Sequence, residues 1–503
     1  MTDERKTFFA DVILPLSVKN TFTYRVPFEL NDSIQAGIRV VVPFGKAKFY
    51  SGIVTRVHEE IPTEYQAKYI ETILDDTPII TPNQLKLWYW IAEYYMSPIG
   101  DVMNAALPSN LKLASETKIT LHPDFEQNKV LEDERFTTII DTLEVKEVLD
   151  LKEISDLLAL KTVQPLIKKM IDQRIVISVE ELNYKYVNKT ATFVFLEDDF
   201  QDLEQLALLL EQLDKSKAKQ KQAEAITQFV GLIDPQMLSM PVLKKDLEEK
   251  NVSTSTINTL VKNGIFKTEK LKIDRFKAKN EDVQKDLKLS SAQQTAFDEI
   301  ETAFQDDKIT LLHGITGSGK TETYIELIKK ALQNEQQVLF LLPEIALTTQ
   351  LIKRLELHFG DLVGVYHSRF NQNERVDIWN HVLNNHPKRF RIIVGARSAV
   401  FLPFQNLGLI IVDEEHESSF KQMNPSPRYH GRDVAIILAN LFKAKCLLGS
   451  ATPSMETFYN AENDKYALVS LTERYGNATL PEIWCADVRQ MKKDVTNTSH
   501  FTA

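Results

Sequence analysis

Cysteine is nearly absent from this 503-residue chain. The two that occur, Cys446 and Cys485, each sit in an apolar, strand-like run. That is the setting of reduced, buried thiols, and it excludes a disulfide framework. Long apolar runs are missing as well. No stretch reaches the roughly 18 consecutive apolar residues that would span a bilayer, so no membrane partner is expected. The opening MTDERKTFFADVILPLSVKN mixes charges of both signs and has no long apolar core before a small-residue cleavage site, which speaks against a secretory signal and for a cytoplasmic protein. Positive charge is short too: 60 Lys and Arg face 70 Asp and Glu, for a net charge of −10. Phosphate neutralisation needs cations, so this balance taken alone counts against a nucleic-acid binder. It averages over domains, however, and Arg39, Lys46, Lys48 and Arg56 occur between Ala36 and Val57 with no acid among them. By itself such a stretch is a solvated strand face.

What is present reads as several domains, because a chain this long exceeds one hydrophobic core. Residues 8 to about 75 contain ADVIL, FTYRV, IRVVVPF and YSGIVTRV, β-branched and aromatic runs broken by turn residues. They predict a small β-barrel-like domain. A helix follows from the N-cap Thr81 and Pro82 through NQLKLWYWIAEYYM, its aromatics mostly core. An apparent internal duplication comes next, from Leu151 and again from Pro241. Each copy reads helix, turn, second helix opened by Thr162 or Ser253, then a strand pair. Val163, Leu166, Ile167 and Met170 in one, and Ile257, Leu260 and Val261 in the other, recur at helical spacing. This is the pattern of a winged helix. With few Arg or Lys on the second helices, DNA reader, spacer and protein contact all stay open. From Leu289 onward, continuous apolar strands alternate with amphipathic helices, the signature of a parallel sheet covered on both faces. The predicted division is 1–110 β-rich, 111–272 winged-helix, 273–288 linker, 289–475 an α/β lobe and 476–503 the start of a further part.

Three motifs in that lobe carry chemistry. Gly314-Ile315-Thr316-Gly317-Ser318-Gly319-Lys320-Thr321 fits the P-loop pattern in full, between the strand ITLLH and the helix TETYIELIKKAL. Its glycines let backbone N–H groups face phosphates, the helix N-terminus adds positive potential, Lys320 reaches the β- and γ-phosphates of ATP, and Thr321 offers a hydroxyl to Mg²⁺. LIIVDEEH delivers carboxylates at a strand's C-terminal end, where α/β sheets place ligands. Asp413 is the expected Mg²⁺ ligand and Glu414 the group that orients or deprotonates the attacking water. Glu415 and His416, with Gly449, Ser450, Ala451 and Thr452 after another apolar strand, are the residues expected to couple the ATP site to a nucleic-acid track.

In this order and spacing the motifs resemble those of superfamily-two helicases, whose motors close two RecA-like lobes on a strand. More narrowly, the chain resembles the PriA-type replication-restart helicases (primosomal protein N′) of bacteria. In the lobe the resemblance rests on LSSAQQTAFDEI, GITGSGKTETYIELI, LLPEIALTTQLIKRL, VYHSRF, IIVGARSAVFLPFQNLGLIIVDEEHESSFKQ, RYHGRDVA and LLGSATPSMET. In the N-terminal part it rests on TFTYRVP, GIRVVVPFGK, GIVTRV and WIAEYYMSPIGDVMNAALP. It implies a multidomain fold: a 3′-DNA-binding domain, a winged-helix region and a RecA-like P-loop lobe. Gln293 joins the ATP-binding set. Phe22, Thr23, Gly45, Lys46 and Lys68 become candidates for holding a DNA 3′ end, with Thr23 where the family pattern has Asp. A coupling loop with Phe420, Lys421, Arg428, Tyr429 and Arg432 becomes a candidate for stacking on unpaired bases and meeting phosphate.

The implied activity is ATP-dependent, Mg²⁺-dependent 3′-to-5′ DNA unwinding at stalled or abandoned forks, initiating primosome assembly near the nucleoid. The implied partners are forked and single-stranded DNA with a 3′ end, single-stranded-DNA-binding protein and primosome loading proteins. The family continues into a module with two zinc ions and a second lobe. No CxxC pair occurs here, so the chain is expected to be a truncated member without zinc ligands. Lacking the second lobe's arginine, worth on the order of a thousandfold, it is expected to hydrolyse ATP weakly. Two rival readings stay open: a RecG-like or restriction-type translocase, and a DNA-binding adaptor with a vestigial nucleotide site.

Overall fold

The computed structural model describes residues 6–45, 48–63, 65–112, 115–122, 125, 133–146, 148–160, 163–173, 175–182, 189–216, 219–233, 237–273, 275–276, 288–344, 349–367 and 370–474. Among the described residues no helix is long and apolar enough to cross a membrane.

The N-terminal runs form β1 (Phe9–Ile13), β2 (Phe22–Arg25), β3 (Arg39–Phe44), β4 (Lys48–His58) and β5 (Thr72–Ile73), an antiparallel sheet in the order β2-β1-β4-β3-β5. Residues 68–71 curl it toward closure. Arg25 N–H donates to the Lys68 carbonyl and Ile70 N–H to the Arg25 carbonyl, while Glu71 N–H reaches the Val41 carbonyl. Strand alternation decides what each side chain does. Ala10, Val12, Tyr24, Val40, Val42 and Val54 fill the barrel, whereas Ile13 and Ile53 join a different core outside it.

That outer core belongs to α1 (Pro82–Tyr94) and α2 (Ile99–Ala106). Thr81 caps α1 as its sequence predicts: Thr81 Oγ1 accepts from Gln84 N–H and Gln84 Oε1 accepts from Thr81 N–H, a capping box. The amide of Gln84 also donates to the Phe401 carbonyl, and Trp379 Nε1 donates to the Ile79 carbonyl. One continuous apolar core therefore runs from Ile13 and Ile53 through Trp88, Ile91 and Met103 to Trp379, Phe401 and Phe404.

The duplication is real in three dimensions. One unit comprises β6 (Ser115–Leu121), α3 (Glu134–Lys146), β7 (Leu149–Asp150), α4 (Leu151–Leu157), α5 (Gln164–Asp172) and β8 (Val176–Leu182). The other comprises β9 (Thr190–Leu196), α6 (Leu203–Asp214), α7 (Gln220–Val230), β10 (Val242–Leu243), α8 (Lys244–Glu249), α9 (Thr254–Lys262) and β11 (Phe266–Lys272). Their sheets run β7-β6-β8 and β10-β9-β11. Ser253 caps α9 as expected, accepting from Thr256 N–H; Thr162 lies outside the described residues. The strand pair expected after each second helix is instead one closing strand, which pairs with the strand that opens its unit. The partner was missed because a helix or more separates the two in sequence. Each unit has its own core, around Val194, Phe229 and Phe266 in one and Ile119, Phe136 and Met170 in the other.

The α/β lobe contains α10 (Ser291–Gln305), β12 (Thr310–Gly314), α11 (Lys320–Gln333), β13 (Gln337–Leu341), α12 (Thr349–Phe359), β14 (Val363–Tyr366), α13 (Gln372–Leu383), β15 (Ile392–Gly395), β16 (Leu407–Asp413), α14 (Gly431–Phe442), β17 (Lys445–Ser450), α15 (Met455–Glu462) and β18 (Ala467–Leu471). Its seven strands are parallel, in the order β14-β15-β13-β16-β17-β12-β18. Both faces are buried, and residues alternate between them: Leu339, Leu341, Ile410 and Val412 on one, Val338, Phe340, Leu409 and Ile411 on the other. Because β16, β17 and β12 are neighbours, their C-terminal ends put all three motifs side by side.

Candidate nucleotide-binding site and its surroundings

The P-loop leaves β12 at Gly314 and enters α11 at Lys320. Gly317 and Gly319 take φ of 81° and 85°, a left-handed backbone that side chains resist. A Cβ on Gly319 would also lie 2.0 Å from Gln293 Nε2. Gln293 is buried and spends both ends of its amide within the protein. Its Oε1 accepts from Ser290 N–H, and its Nε2 donates to the Ser318 and Gly319 carbonyls. It braces the loop from behind and is not in the cavity wall. Lys320 Nζ folds back to donate to the Gly314 carbonyl at 2.8 Å.

Opposite stands Asp413, at the end of β16. Its Oδ1 accepts from the Tyr324 hydroxyl at 2.9 Å. Burial pushes the Asp413 carboxyl up to about 6; the Tyr324 hydrogen bond opposes this, the charge of Glu414 adds to it and Lys320 opposes it. Tyr324 can reach Asp413 only because residue 449 is glycine: a Cβ there would lie 1.9 Å from the phenol oxygen. Glu414 follows with φ 49°, a strained backbone for a residue with a side chain.

Ile315, Thr316, Gly317, Gly319, Lys320, Thr321, Glu322, Arg354, Asp413 and Glu414 line a cavity of about 380 Å³. Ser318 Oγ is buried in the loop with no hydrogen-bond partner among the described residues. A left-handed glycine loop opening a helix, an ammonium on the first turn and a carboxylate with a hydroxyl across the cavity make a donor set that fits a polyphosphate with a hard divalent cation. Thr321 and Asp413 are the residues that would hold the cation.

Behind the cavity the turn that follows Asp413 meets the end of β17. Glu415 N–H donates to the Gly449 carbonyl. His416 Nδ1 lies 2.8 Å from Ser450 Oγ, and His416 Nε2 lies 3.4 Å from Thr452 Oγ1, with Ala451 between those two hydroxyl residues. Glu415 is fully buried and accepts from Arg432 at 2.8 Å, from Ser454 N–H and Oγ, and from Thr457 Oγ1.

Several expectations about DNA contacts need correction. Phe420 and Tyr429 are each only 1% exposed. Tyr429 packs edge-on against Phe401, and Phe420 lies beside Gly431 at the start of α14, so neither ring is presented to a base. Arg432 is committed to Glu415 and Asp433. The loop is a closed hairpin: Lys421 bridges His430, Gln422 N–H donates to the Tyr429 carbonyl, and the Gln422 amide donates to the Pro425 and Pro427 carbonyls. Of the loop residues singled out from the sequence, Arg428 is exposed and Lys421 partly so. In the basic stretch, Arg39 is a structural cation, paired with Asp75 and donating to the Leu111 carbonyl. Arg56 pairs with Asp11 and Glu60.

On the barrel, Lys68 Nζ donates to the Gly45 carbonyl and the ring of Phe22 meets Phe44 edge-on, while Thr23 makes its contacts with Tyr65 and Asp11. Tyr24 is core. Lys46 lies outside the described residues. Thr23 N–H donates to the Tyr65 hydroxyl, and Thr23 Oγ1 to Asp11 Oδ1 at 2.7 Å. The neighbouring strand therefore brings a carboxylate to the position where Thr23 lacks one. Burial works to raise the Asp11 carboxyl, but hydrogen bonds from Thr23, His58 and Arg56 outweigh it and hold the group below its usual range.

The sequence did not single out Tyr324, Arg354, Ser454, Thr457, Asp11 or Tyr65. Only Tyr324 had a local signal, since it follows Lys320 by one helical turn. Arg354 reaches the cavity from α12 and pairs there with Glu322.

Residues 11–108 match the PriA family profile described as 3′DNA-binding domain (3′BD), and residues 191–273 match the winged helix domain of PriA helicase from Bacteroidota. Residues 116–181 match a further winged helix domain, and residues 286–455 match the profile described as type III restriction enzyme, res subunit. The replication restart protein PriA of Bacillus subtilis is 34% identical over 491 residues, 96% of this chain and 58% of that protein. Its counterpart in Synechocystis is 31% identical over 94% of this chain and 55% of its own length. This chain therefore spans a little over half the length of those relatives. A solved structure of RecG bound to a three-way DNA junction is similar over 39% of this chain and 25% of that one, with 22% identity and a TM-score of 0.29. Profiles of the PriA 3′DNA-binding domain and of a PriA winged helix domain match ahead of the α/β lobe, and PriA replication restart proteins match nearly the whole of this chain, so that is the family it resembles.

Proposed function

We propose that this chain is the DNA-engaging and ATP-binding part of a replication restart helicase. It takes MgATP at the P-loop, drives 3′-to-5′ movement on DNA, recognises a free 3′ end at a stalled or abandoned fork, and begins primosome assembly there. The observation that carries this reading is the convergence of Lys320, Asp413 and Glu414 on one cavity, with Glu415 and His416 of the same turn tied to Ser450, Ser454 and Arg432.

Bound Mg²⁺ supplies charge neutralisation on the phosphates. The chain's own residues do the rest. Lys320 leaves the Gly314 carbonyl to pair with phosphate oxygens, and the backbone of 314–319 wraps them. Glu414 receives the proton of the water whose oxygen attacks the γ-phosphorus as the bond to the β-phosphate oxygen breaks, releasing ADP and phosphate. A shift of Glu414 or Glu415 on turnover moves α14 and α15, because Arg432, Ser454 and Thr457 are bonded to Glu415. On the barrel, Phe22, Thr23, Gly45 and Lys68 receive the 3′ end. Single-stranded-DNA-binding protein, primosome loading proteins, a bacterial cytoplasmic setting and zinc in a longer chain are part of the same reading through the family.

Two titrations test it. The chain should be thermally stabilised by MgATP, and Lys320→Ala should abolish that stabilisation. A fork with a free leading-strand 3′ hydroxyl should bind more tightly than one ending in a 3′ phosphate. Indifference to Lys320→Ala would leave the adaptor reading in place of the motor.

A further inference from the structure

The rings that the loop after the DEEH motif withholds are supplied by α1. Trp90 and Tyr94 stack at 4.7 Å with 15° between planes. Tyr95 meets both edge-on, at 6.1 and 4.9 Å. Tyr94, at the open end of the stack, is 62% exposed. Helical spacing puts Lys86, Trp90 and Tyr94 in one row. The cluster abuts the loop hairpin at three points: Lys421 Nζ sits 5.0 Å over the Tyr95 ring, His430 N–H donates to the Tyr95 hydroxyl, and Ser97 and Ser426 share a hydrogen bond. Met96, next to Tyr95, and Met423 and Arg428 on the hairpin are exposed.

An exposed, stacked aromatic pair calls for a partner. The charges around it choose which one. Lys421 sits over Tyr95, Lys86 is exposed one turn before Trp90 on the same helix and Arg428 is exposed on the hairpin, against Glu93 on α1 and Asp433 beyond Tyr95. Stacked rings edged by cations match the alternating bases and phosphates of an unpaired strand, since every base has a π-face and every linkage a charge. A duplex hides its base faces and gains only the charge.

We propose that Trp90, Tyr94 and Tyr95, with Lys86, Lys421 and Arg428, form a binding site for single-stranded DNA, in which a base extends the stack on the Tyr94 side. The inference rests on the DNA-binding reading above and deepens it. It places an unpaired strand on the helix that joins the barrel to the α/β lobe, against the hairpin that follows the ATP-site carboxylates. Strand binding there presses on Lys421 and His430, and through the latter on the start of α14.

The test compares the chain with Tyr94→Ala, an exposed position whose loss spares the core, with Lys86→Ala, and with Tyr459→Ala as an exposed-tyrosine control. Anisotropy with fluorescein-labelled oligo(dT) and with a blunt duplex, quenching of 2-aminopurine in the single strand, and thermal stabilisation by MgATP are read for each. Tyr94→Ala should weaken oligo(dT) binding roughly fivefold to a hundredfold. It should also abolish the 2-aminopurine quench and leave duplex binding and MgATP stabilisation at parental values. Lys86→Ala should lower the salt slope for the single strand by about 0.7. Parental oligo(dT) affinity and quench in Tyr94→Ala would overturn the proposal and leave the patch to a protein partner. Equal weakening on single strand and duplex would overturn base stacking. If the parent chain bound neither DNA, the DNA reading itself would fail, even with MgATP stabilisation intact.

Discussion

Asp413 titrates against its own burial. Folding lifts its carboxyl from 3.8 to about 6, so the folded chain holds that proton more tightly than the unfolded one. The stability tied to the protonated form is full below pH 3.8, falls as pH rises toward 6, and stays lost above it. The cost is on the order of 3 kcal/mol. Asp413→Asn keeps an acceptor for the Tyr324 hydroxyl and removes the charge. In urea denaturation it should be more stable than the parent by up to about 3 kcal/mol at pH 7 and equal to it near pH 4; an equal gain at both would dismiss burial as the cause. Tyr324→Phe should cost about 1 kcal/mol and push the Asp413 titration higher, readable as a loss of stability that begins at the same pH but continues to a higher one. The P-loop and the carboxylate turn were legible because their chemistry is contiguous in sequence. The Tyr324 bond was not, since it joins residues 89 positions apart and depends on a missing side chain at Gly449.

Elements here are tied by a few buried polar contacts. Arg432 on α14 and Glu415 after β16 pair with side chains 12% and 0% exposed, and Ser454 and Thr457 bring α15 onto the same carboxylate. Arg432→Met strands the Glu415 charge and should cost about 3–5 kcal/mol in chemical denaturation. Adding Glu415→Gln should recover most of that loss; no recovery would mean that Arg432 stabilises by packing alone. Apolar periodicity made α1 and six of the seven strands of the parallel sheet readable in advance, the edge strand β18 excepted. It misplaced the winged-helix partners because pairing such as β9 with β11 is non-local. Phe420 and Tyr429 were stacking candidates through the family resemblance alone, and nothing local in that loop signalled that their rings are buried. Here Gln422 holds that loop closed with its two carbonyl contacts, and the rings turn inward.

At the scale of the whole molecule, cores and sequence domains do not coincide. The two winged-helix units have cores of their own, whereas the wall of the barrel, α1, α2 and one face of the lobe share one. Hydrogen exchange should therefore show the barrel-proximal helices and the lobe opening together, and the winged-helix units opening separately. Trp88→Ala, at a fully buried position of the shared core, should destabilise the lobe by about 3–5 kcal/mol and lower protection in α13 and α14 while sparing α9. Loss confined to α1 would refute the shared core.

The Gln84 and Trp379 contacts across that core bear on how deletion alleles are read. Removing the first hundred or so residues would strip Trp88, Ile91 and Met103 from the lobe and leave Trp379, Phe401 and Phe404 facing water. Cells would clear such a protein before it met DNA. The resulting phenotype would report abundance, and only point changes on the barrel's outer surface could separate a role of that surface from the stability of the lobe.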